Sequence, residues 1–241
     1  MIKSQEAVVD VQANTQAVAE RVAGWLVERL NINSDKLSLC LSGGTTPKLL
    51  YETLAKPEFS SKITWSKIHI FFGDERFVPK DDQLSNFKMV KTALLDHIII
   101  PESNIHAVPT ELGDAQLAAA AYEKELQSFY GGKVLEAKQF LFDVTLLGIG
   151  DDGHTASLFP GTEVLKEKTA WVKAVKGVKP EDRITLTLPA LESSAAMAFL
   201  VTGHDKSAIM KEVLSGKSTL PAAQVRPQGH LFWFLDQAAY L

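Results

Sequence analysis

Cysteine is almost absent from this sequence, which has one thiol, Cys40, in 241 residues. A disulfide within the chain needs two cysteines and a cysteine-rich metal site needs several, so both are excluded. Long apolar runs are also missing, since no stretch approaches the roughly 18 residues of a membrane span. The N-terminal segment MIKSQEAVVDVQ lacks the blocks of a signal peptide. We therefore expect a cytoplasmic protein with no membrane partner.

Positive charge is in slight deficit, with 25 Lys and Arg against 29 Asp and Glu and a formal net charge of -4. A mildly acidic chain without a long basic run is a poor match to nucleic acid, so we expect no nucleic-acid partner. Apolar residues make up 46% of the chain, which is ordinary for a globular protein. Binding of an anion by such a protein requires a local concentration of positive charge.

The hydrophobic periodicity alternates between helix-like and strand-like segments. Helices are predicted at about 16–30, 48–55, 114–130 and 206–214, with another that begins near residue 85. Strands are predicted at 36–41, 67–72, 142–150, 196–203 and 230–236, and RITLTLPAL is predicted as a strand that runs into a turn at Pro189. Short apolar strands separated by helices are typical of a parallel sheet with both faces covered. The predicted fold class is α/β, a three-layer α/β/α arrangement around a mostly parallel, Rossmann-like sheet, in a single domain over residues 1–241.

Four of the predicted strands are followed by unusual polar turns. These turns are SGGTTP at 42–47, GDER at 73–76, GIGDDGH at 148–154 and TGHDK at 202–206. In open α/β sheets, ligands bind beyond the carboxyl ends of the strands. Four charged or glycine-rich turns at that edge therefore predict an active site there.

The SGGTTP turn has the composition of a phosphate-binding loop. Gly43 and Gly44 allow the backbone to approach a ligand closely and to adopt positive φ. We expect Thr45 or Thr46 to cap the following helix, with Pro47 at its first position. The free N–H groups at such a helix start favour a bound phosphate.

Two other motifs partly match nucleotide-binding sequence patterns. GIGDDG at 148–153 matches the dinucleotide pattern G-x-G-x-x-G, but its two aspartates would meet the pyrophosphate, and lysines stand where an acidic ribose ligand is needed. GKST at 216–219 resembles the end of a P-loop, but Lys211 occupies the position of the required first glycine. We expect neither nucleotide cofactor.

The histidines give little indication of a metal. Asp152 and His154 form a D-x-H pair, but a metal site needs three or more ligands and no further cluster is visible in the sequence. We expect no metal ion. His69 is predicted within a strand, His106 at a boundary or on the surface, and His204 in a strand-end turn that is able to line the pocket.

Together these motifs resemble the 6-phosphogluconolactonase family, which is related to the glucosamine-6-phosphate isomerases and deaminases. The matching segments are SGGTTPKLLYE at 42–52, FFGDERFVP at 71–79, SNF at 85–87 and LLGIGDDGHTASLFPG at 146–161, with weaker matches in RITLT and VTGHDK. The resemblance covers nearly the whole chain. It implies the NagB/RpiA/CoA transferase-like fold and the hydrolysis of a small phosphorylated sugar lactone without a cofactor, by a monomer or weak homodimer.

The resemblance also implies a catalytic group of three residues. His154 would be the general base that activates a water molecule, Asp152 would orient its imidazole, and Asp74 would contact sugar hydroxyls. A histidine with a pKa of about 6.5 serves as a base at neutral pH. A positioned base contributes about 10²- to 10⁴-fold, which suits an already reactive ester.

The phosphate of the substrate is implied to bind the first polar turn and two cations. The implied binding residues are Ser42, Gly43, Gly44, Thr45, Thr46, Arg183 and Lys206. Arg76 would add positive charge next to the reacting ring. The group that polarises the lactone carbonyl stays open among the Gly44 N–H, Arg76 and other loop amides.

Three rival functions are less favoured. The related deaminases resemble GHIAFNEP in the histidine loop, with a glutamate five residues beyond the histidine, where this chain has Phe159. A phenyl ring cannot transfer protons, which disfavours an isomerase or deaminase. A non-catalytic sugar-phosphate sensor would not need His154. A carboxylesterase would need the serine of a G-x-S-x-G motif, which the sequence lacks.

Overall fold

A six-stranded parallel sheet forms the centre of this computed structural model, which describes residues 7–32 and 34–240. Residues 1–6, which belong to the N-terminal segment discussed above, lie outside the described residues. The strands of the described chain are β1 Val8–Gln12, β2 Leu37–Leu41, β3 Ile68–Phe72, β4 Asp74–Arg76, β5 Phe142–Leu147, β6 Val172–Val175, β7 Arg183–Leu186, β8 Ser194–Val201 and β9 His230–Asp236. The large sheet has the order β1-β9-β8-β5-β2-β3.

Helices cover both faces of this sheet, as the sequence predicted. They are α1 Thr15–Leu30, α2 Thr45–Leu54, α3 Pro57–Ser60, α4 Asn86–Ala93, α5 Ala115–Tyr130, α6 Leu188–Glu192, α7 Ser207–Leu214, α8 Pro221–Gln224 and α9 Gln237–Tyr240. Side chains of Asn14, Ser85 and Asp114 accept hydrogen bonds from the first turns of α1, α4 and α5, which fixes where these helices begin. The prediction of a mostly parallel three-layer α/β/α fold is confirmed.

The central strands read as continuous apolar runs because both faces are covered. Every residue of β2, LSLCL, is buried, and so are nearly all residues of β5, which lies beside β2, and of β8, which lies beside β5. The predicted bounds of these strands and of α1, α4, α5 and α7 agree with the structure within about three residues. Among the described residues, no helix is long and apolar enough to cross a membrane.

A second sheet of three antiparallel strands, in the order β4-β7-β6, departs from the prediction. The GDER segment was predicted as a turn, but Asp74–Arg76 forms β4 and pairs with β7. Strands β1 and β6 were not predicted, since both are short and carry charged or polar residues. Pro189 lies in the first turn of α6 instead of a simple turn, because proline is tolerated where backbone N–H groups have no helical partner.

A cluster of aromatic rings and two histidines packs beside β3. His69 Nδ1 lies 3.0 Å from His106 Nε2, and His106 Nδ1 lies 2.7 Å from Glu125 Oε1. His106 stacks on Phe71 with ring centroids 4.3 Å apart, and its side chain is 13% exposed, which agrees with the predicted boundary position. Burial, followed by the positive charges of His106 and Lys36, lowers the pKa of His69 to about 4.

The low pKa of His69 predicts an acid-sensitive fold. In the unfolded chain the imidazole has its ordinary pKa of about 6.5. Between pH 6.5 and 4 the unfolded state therefore binds more protons than the folded state, so the free energy of unfolding falls as the pH falls through this window. His69→Asn removes the titrating group, and we expect a shallower pH dependence of the free energy of unfolding, measured by urea denaturation at several pH values. The exposed His97→Asn is the control, and equal slopes for the His69 variant and the native chain would contradict the assignment.

Candidate active site

One cavity of about 460 Å³ lies at the carboxyl edge of the large sheet. The segments that follow β2, β3, β5 and β8 all contribute to its wall, as the four polar turns predicted. Its lining includes Ser42, Gly43, Gly44, Thr45, Thr46, Asp74, Arg76, Asn86, His154, Ser157, Phe159, Lys179, Arg183, Thr202 and Lys206. All predicted site residues except Asp152 line this cavity, and Asp152 contacts His154 from behind.

The first turn leads into α2 without a side-chain cap. Gly44, with φ 106°, is the N-cap residue, and no described side chain accepts a hydrogen bond there. The expected caps are therefore wrong: Thr46 Oγ1 lies 2.8 Å from Thr202 Oγ1, and Pro47 is the third helical residue. Because the first-turn N–H groups have no side-chain acceptor, the start of α2 offers them to the cavity.

His154 and Asp152 form an imidazole–carboxylate pair in the loop after β5. Asp152 Oδ1 bonds to His154 Nδ1 and also accepts from the backbone N–H of His154. The Nε2 atom has no hydrogen-bond partner within the described chain. Burial would raise the pKa of Asp152, but the hydrogen bonds from His154 outweigh it and hold that pKa below its ordinary value. The pair has the arrangement of a general base with an orienting carboxylate.

Gly150 allows the imidazole to lie where it does. A Cβ on Gly150 would overlap the ring atoms of His154. The backbone of the same turn is closed by two hydrogen bonds, from Gly150 N to His154 O and from Gly153 N to Gly150 O, both 2.9 Å. Phe159 also packs on the ring, with centroids 4.6 Å apart. The ring therefore contacts both the backbone at Gly150 and a phenyl group.

Arg76 and Arg183 are directly opposite each other in the second sheet. They are register partners in the antiparallel pair of β4 and β7, and like charges in that position destabilise a sheet. Burial, followed by the charge of Arg76, lowers the pKa of Arg183. The Nη1 atom of Arg183 is buried without a hydrogen-bond partner in the described chain, and its nearest acid, Glu181, is 3.5 Å from Nη2. Such an arrangement is suited to a bound anion.

Asp74 is positioned by two polar side chains that the sequence analysis did not include among the site residues. Ser157 Oγ donates to Asp74 Oδ2 at 2.6 Å, and Asn86 Nδ2 donates to the Asp74 carbonyl oxygen at 2.9 Å. Asn86 lies in the SNF motif and Ser157 in TASLFPG, so both stood in recognised segments. Their contacts depend on chain segments about 10 to 80 residues away, which no local pattern reveals.

Lys206 lines the cavity, but it is not free in this structure. Its ammonium group forms an ion pair with Asp151, whose side chain is largely exposed. This pair lowers the pKa of Asp151.

Lys179, which was not predicted as a site residue, lies at the cavity wall with Nζ 5.3 Å from the centroid of the Phe159 ring. No group of three or more possible metal ligands occurs among the described residues.

Comparisons with known proteins show the family to which this chain is similar. A model of the family described as glucosamine-6-phosphate isomerases/6-phosphogluconolactonase matches residues 10–233. A 6-phosphogluconolactonase of Synechocystis is 40% identical over 238 residues, which are 96% of this chain and 96% of the relative. The solved 6-phosphogluconolactonase of Thermotoga maritima has a TM-score of 0.81 at 33% identity, with 96% of this chain and 100% of that one covered.

A solved monomeric glucosamine-6-phosphate deaminase has the same fold. Its TM-score is 0.83 at 20% identity, with 96% of this chain and 98% of that chain covered. At this identity the likeness shows the fold alone. The choice between the chemistries of the two groups therefore depends on the residues in the cavity.

The packing of His154 on Gly150 predicts that Gly150→Ala displaces the imidazole. The added methyl group would overlap the ring, so the side chain must leave its contact with Asp152 while the sheet is unaffected. Histidine imidazole resonances in NMR spectra would report this as a change confined to His154. Gly24→Ala, which meets no atom within 4 Å, is the control. Unchanged His154 resonances in Gly150→Ala would contradict the packing.

Proposed function

Because the chain belongs to the family of glucosamine-6-phosphate isomerases and 6-phosphogluconolactonases, we propose that it hydrolyses 6-phospho-D-glucono-1,5-lactone to 6-phospho-D-gluconate. This reaction is the second step of the oxidative pentose phosphate pathway. The relatives that cover nearly all of the chain at 33–40% identity are named 6-phosphogluconolactonases. The reaction is the hydrolysis of a cyclic ester with a phosphate at the far end of the molecule.

One observation carries the proposal: an imidazole–carboxylate pair and a cluster of cations share one cavity. His154 with Asp152 supplies a base, while the start of α2, Arg183 and Lys206 supply positive charge. A phosphorylated lactone needs both at once, since its phosphate is a dianion and its ester reacts with an activated water molecule. A chain with a net charge of -4 can bind an anion only where positive charge is locally concentrated, and this cavity has such a concentration.

His154 acts as the general base in this proposal. Its Nε2 accepts a proton from water while the water oxygen bonds to the carbonyl carbon of the lactone. Asp152, bonded to Nδ1, holds the ring orientation and stabilises the imidazolium that forms. The tetrahedral intermediate then collapses with cleavage of the bond to the ring oxygen, which takes the proton from His154. The new carboxylic acid ionises, so each turnover releases one proton.

The phosphate binds at the opposite side of this reaction centre in the proposal. Backbone N–H groups of the turn made by Ser42, Gly43, Gly44, Thr45 and Thr46 bind phosphate oxygens. Arg183 offers its unpartnered Nη1, and Lys206 exchanges Asp151 for the phosphate. This exchange is electrostatically favourable because a dianion replaces a single carboxylate.

The sugar ring lies between these two ends, beside β4. Asp74 contacts ring hydroxyls, and Arg76 places positive charge next to the reacting ester. The Gly44 N–H, the Arg76 guanidinium and loop amides are the donors from which the carbonyl receives its polarising hydrogen bonds. The proposed assembly needs no metal ion and no redox cofactor, because a base and hydrogen-bond donors suffice for a reactive ester.

The alternative of a sugar-phosphate isomerase or deaminase is not favoured. Such a reaction needs a proton-transferring group near the sugar ring in addition to the histidine. The position five residues beyond His154 is Phe159, whose ring is buried against the imidazole. We further propose that the enzyme is a single cytoplasmic domain over residues 1–241, acting as a monomer or weak homodimer and without a nucleic-acid partner.

The base assignment predicts that His154→Ala lowers kcat by about 10²-fold or more. Product binding should be kept, since the phosphate contacts are elsewhere in the cavity. The assay uses freshly prepared 6-phosphogluconolactone and follows proton release at constant pH, with spontaneous hydrolysis subtracted. His97→Ala, at an exposed position, should retain native turnover. Near-native turnover in His154→Ala would refute the mechanism.

The phosphate assignment predicts that Arg183→Ala raises KM for the phosphorylated lactone by about tenfold or more, the effect of losing a charge-assisted hydrogen-bonding partner. The unphosphorylated glucono-1,5-lactone should be affected much less, because it has no dianion to bind. Steady-state kinetics with both substrates measure the difference. Arg226→Ala, an exposed arginine far along the chain, is the matched control. An equal rise in KM for both lactones would show that Arg183 does not bind the phosphate.

A further inference from the structure

The alternation of strand β4 separates two sets of side chains. Asp74 and Arg76 both line the cavity, while Glu75, between them, points to the other side and is only 2% exposed. This follows from the two-residue period of a strand. Asp74 and Arg76 therefore face the cavity, and Glu75 faces the protein interior.

Glu75 has a defined task at its buried position. Its carboxylate accepts four hydrogen bonds, from the backbone N–H groups of Arg76, Asn86 and Phe87 at 2.8, 2.7 and 2.8 Å and from Ser85 Oγ at 3.2 Å. Three of these donors belong to the start of α4. A carboxylate is favourable at the N-terminus of a helix, where N–H groups lack helical partners. Glu75 thereby holds the first residue of α4, Asn86, against β4.

The side-chain amide of Asn86 joins the two charged residues of the cavity. Its Oδ1 accepts a hydrogen bond from Arg76 Nη1 at 2.8 Å, and its Nδ2 donates to the carbonyl oxygen of Asp74 at 2.9 Å. Asn86 is 2% exposed, and its amide reaches the cavity wall. A second bond from Arg76 Nη1 to the Leu84 carbonyl oxygen completes the anchoring of the guanidinium. The same Nδ2 lies 3.4 Å from Asp74 Oδ1, so one amide contacts the guanidinium of Arg76 and both the backbone and the carboxylate of Asp74.

Gly43 of the first turn packs directly on the same amide. A Cβ at Gly43 would overlap Oδ1 and Cγ of Asn86, and no other group lies nearer. The φ of Gly43 is not in the left-handed region, so alanine is compatible with the backbone there. The need for glycine at this position comes from the space that Asn86 takes.

We propose that Asn86 is a positioning residue for the reaction, held by Glu75, which fixes Arg76 and Asp74 at the ring end of the substrate. The proposal rests on the proposed function, since it assigns these two residues to the sugar ring. Asn86 acts through them and not on the phosphate. Its loss should therefore affect the part of the substrate that reacts and leave the phosphate site intact.

The first test compares Asn86→Ala with Asn104→Ala. Asn104 is also a buried asparagine, 8% exposed, whose Nδ2 donates to the carbonyl oxygens of Ser66 and Ile68 at 3.0 and 3.1 Å, outside the cavity. Both variants lose the three hydrogen bonds of an asparagine side chain, so their urea midpoints should fall similarly. Only Asn86→Ala should lower kcat/KM for the phosphorylated lactone, by about 10- to 100-fold, as expected for misplaced reacting groups.

The second readout is equilibrium binding, which does not need turnover. By calorimetry, Asn86→Ala should weaken 6-phosphogluconate about tenfold, while the affinity for inorganic phosphate changes less than twofold. A similar loss for both ligands, or a similar loss of kcat/KM in Asn104→Ala, would mean that Asn86 is merely structural and would overturn the proposal.

The third test uses the contact with Gly43. Gly43→Ala should displace the Asn86 amide and reproduce the kcat/KM loss of Asn86→Ala. In the variant that combines Gly43→Ala with Asn86→Ala, the methyl group added at position 43 occupies the space that the Asn86 amide has left. The loss of kcat/KM in this double variant should therefore be no larger than in either single variant. Losses that multiply, or native activity of Gly43→Ala, would contradict the proposed contact.

These readouts separate two kinds of failure. If the native enzyme binds 6-phosphogluconate but does not accelerate lactone hydrolysis, the proposed function fails, and the binding ratios of the variants still decide the role of Asn86. If the native enzyme hydrolyses the lactone and Asn86→Ala matches it in kcat/KM and in binding, the proposed function stands and the role of Asn86 is refuted.

Discussion

The pairing of β2 with β5 at the centre of the parallel sheet is the interaction on which the site depends. The two strands pair in parallel, with Leu39 opposite Val144 and Cys40 opposite Thr145, so they end at the same edge. Neighbouring strands are about 4.8 Å apart. The glycine turn after β2 and the histidine loop after β5 are therefore adjacent in space, although more than 100 residues separate them. The start of α2 and the imidazole of His154 are thereby placed in one cavity.

The small antiparallel sheet adds two arginines to the cavity that the parallel sheet forms. Pairing of β4 with β7 puts Arg76 opposite Arg183. This pairing costs stability, because the two guanidinium groups repel each other and one nitrogen has no partner in the described chain. The pair thus departs from the local rules of sheet formation, and such departures are expected at functional sites.

Close contacts with glycine make this site rigid. Gly150 leaves room for the imidazole of His154, and Gly43 leaves room for the amide of Asn86. A Cβ atom at either glycine would overlap that side chain. Buried polar side chains then fix the remaining groups, with Glu75 at the start of α4 and Ser157 on Asp74. Positions fixed in this way favour orientation of the groups at the ring end of the cavity.

The parallel α/β fold and the place of the cavity follow from local patterns in the amino-acid sequence. Continuous apolar strands such as 37–41 and capped helices such as α1 and α5 are local patterns, and polar turns after strands identify the carboxyl edge. The roles of His154 and Asp152 came from a resemblance, and their contact is local because they are two residues apart.

Which distant groups contact each other could be seen only in the folded chain. The strand at 74–76, the opposition of Arg76 and Arg183, the pairing of Lys206 with Asp151 and the place of Asn86 all depend on contacts between segments far apart in the chain. Such contacts are set by how the sheets and helices pack, and a periodic pattern within one segment carries no information about them.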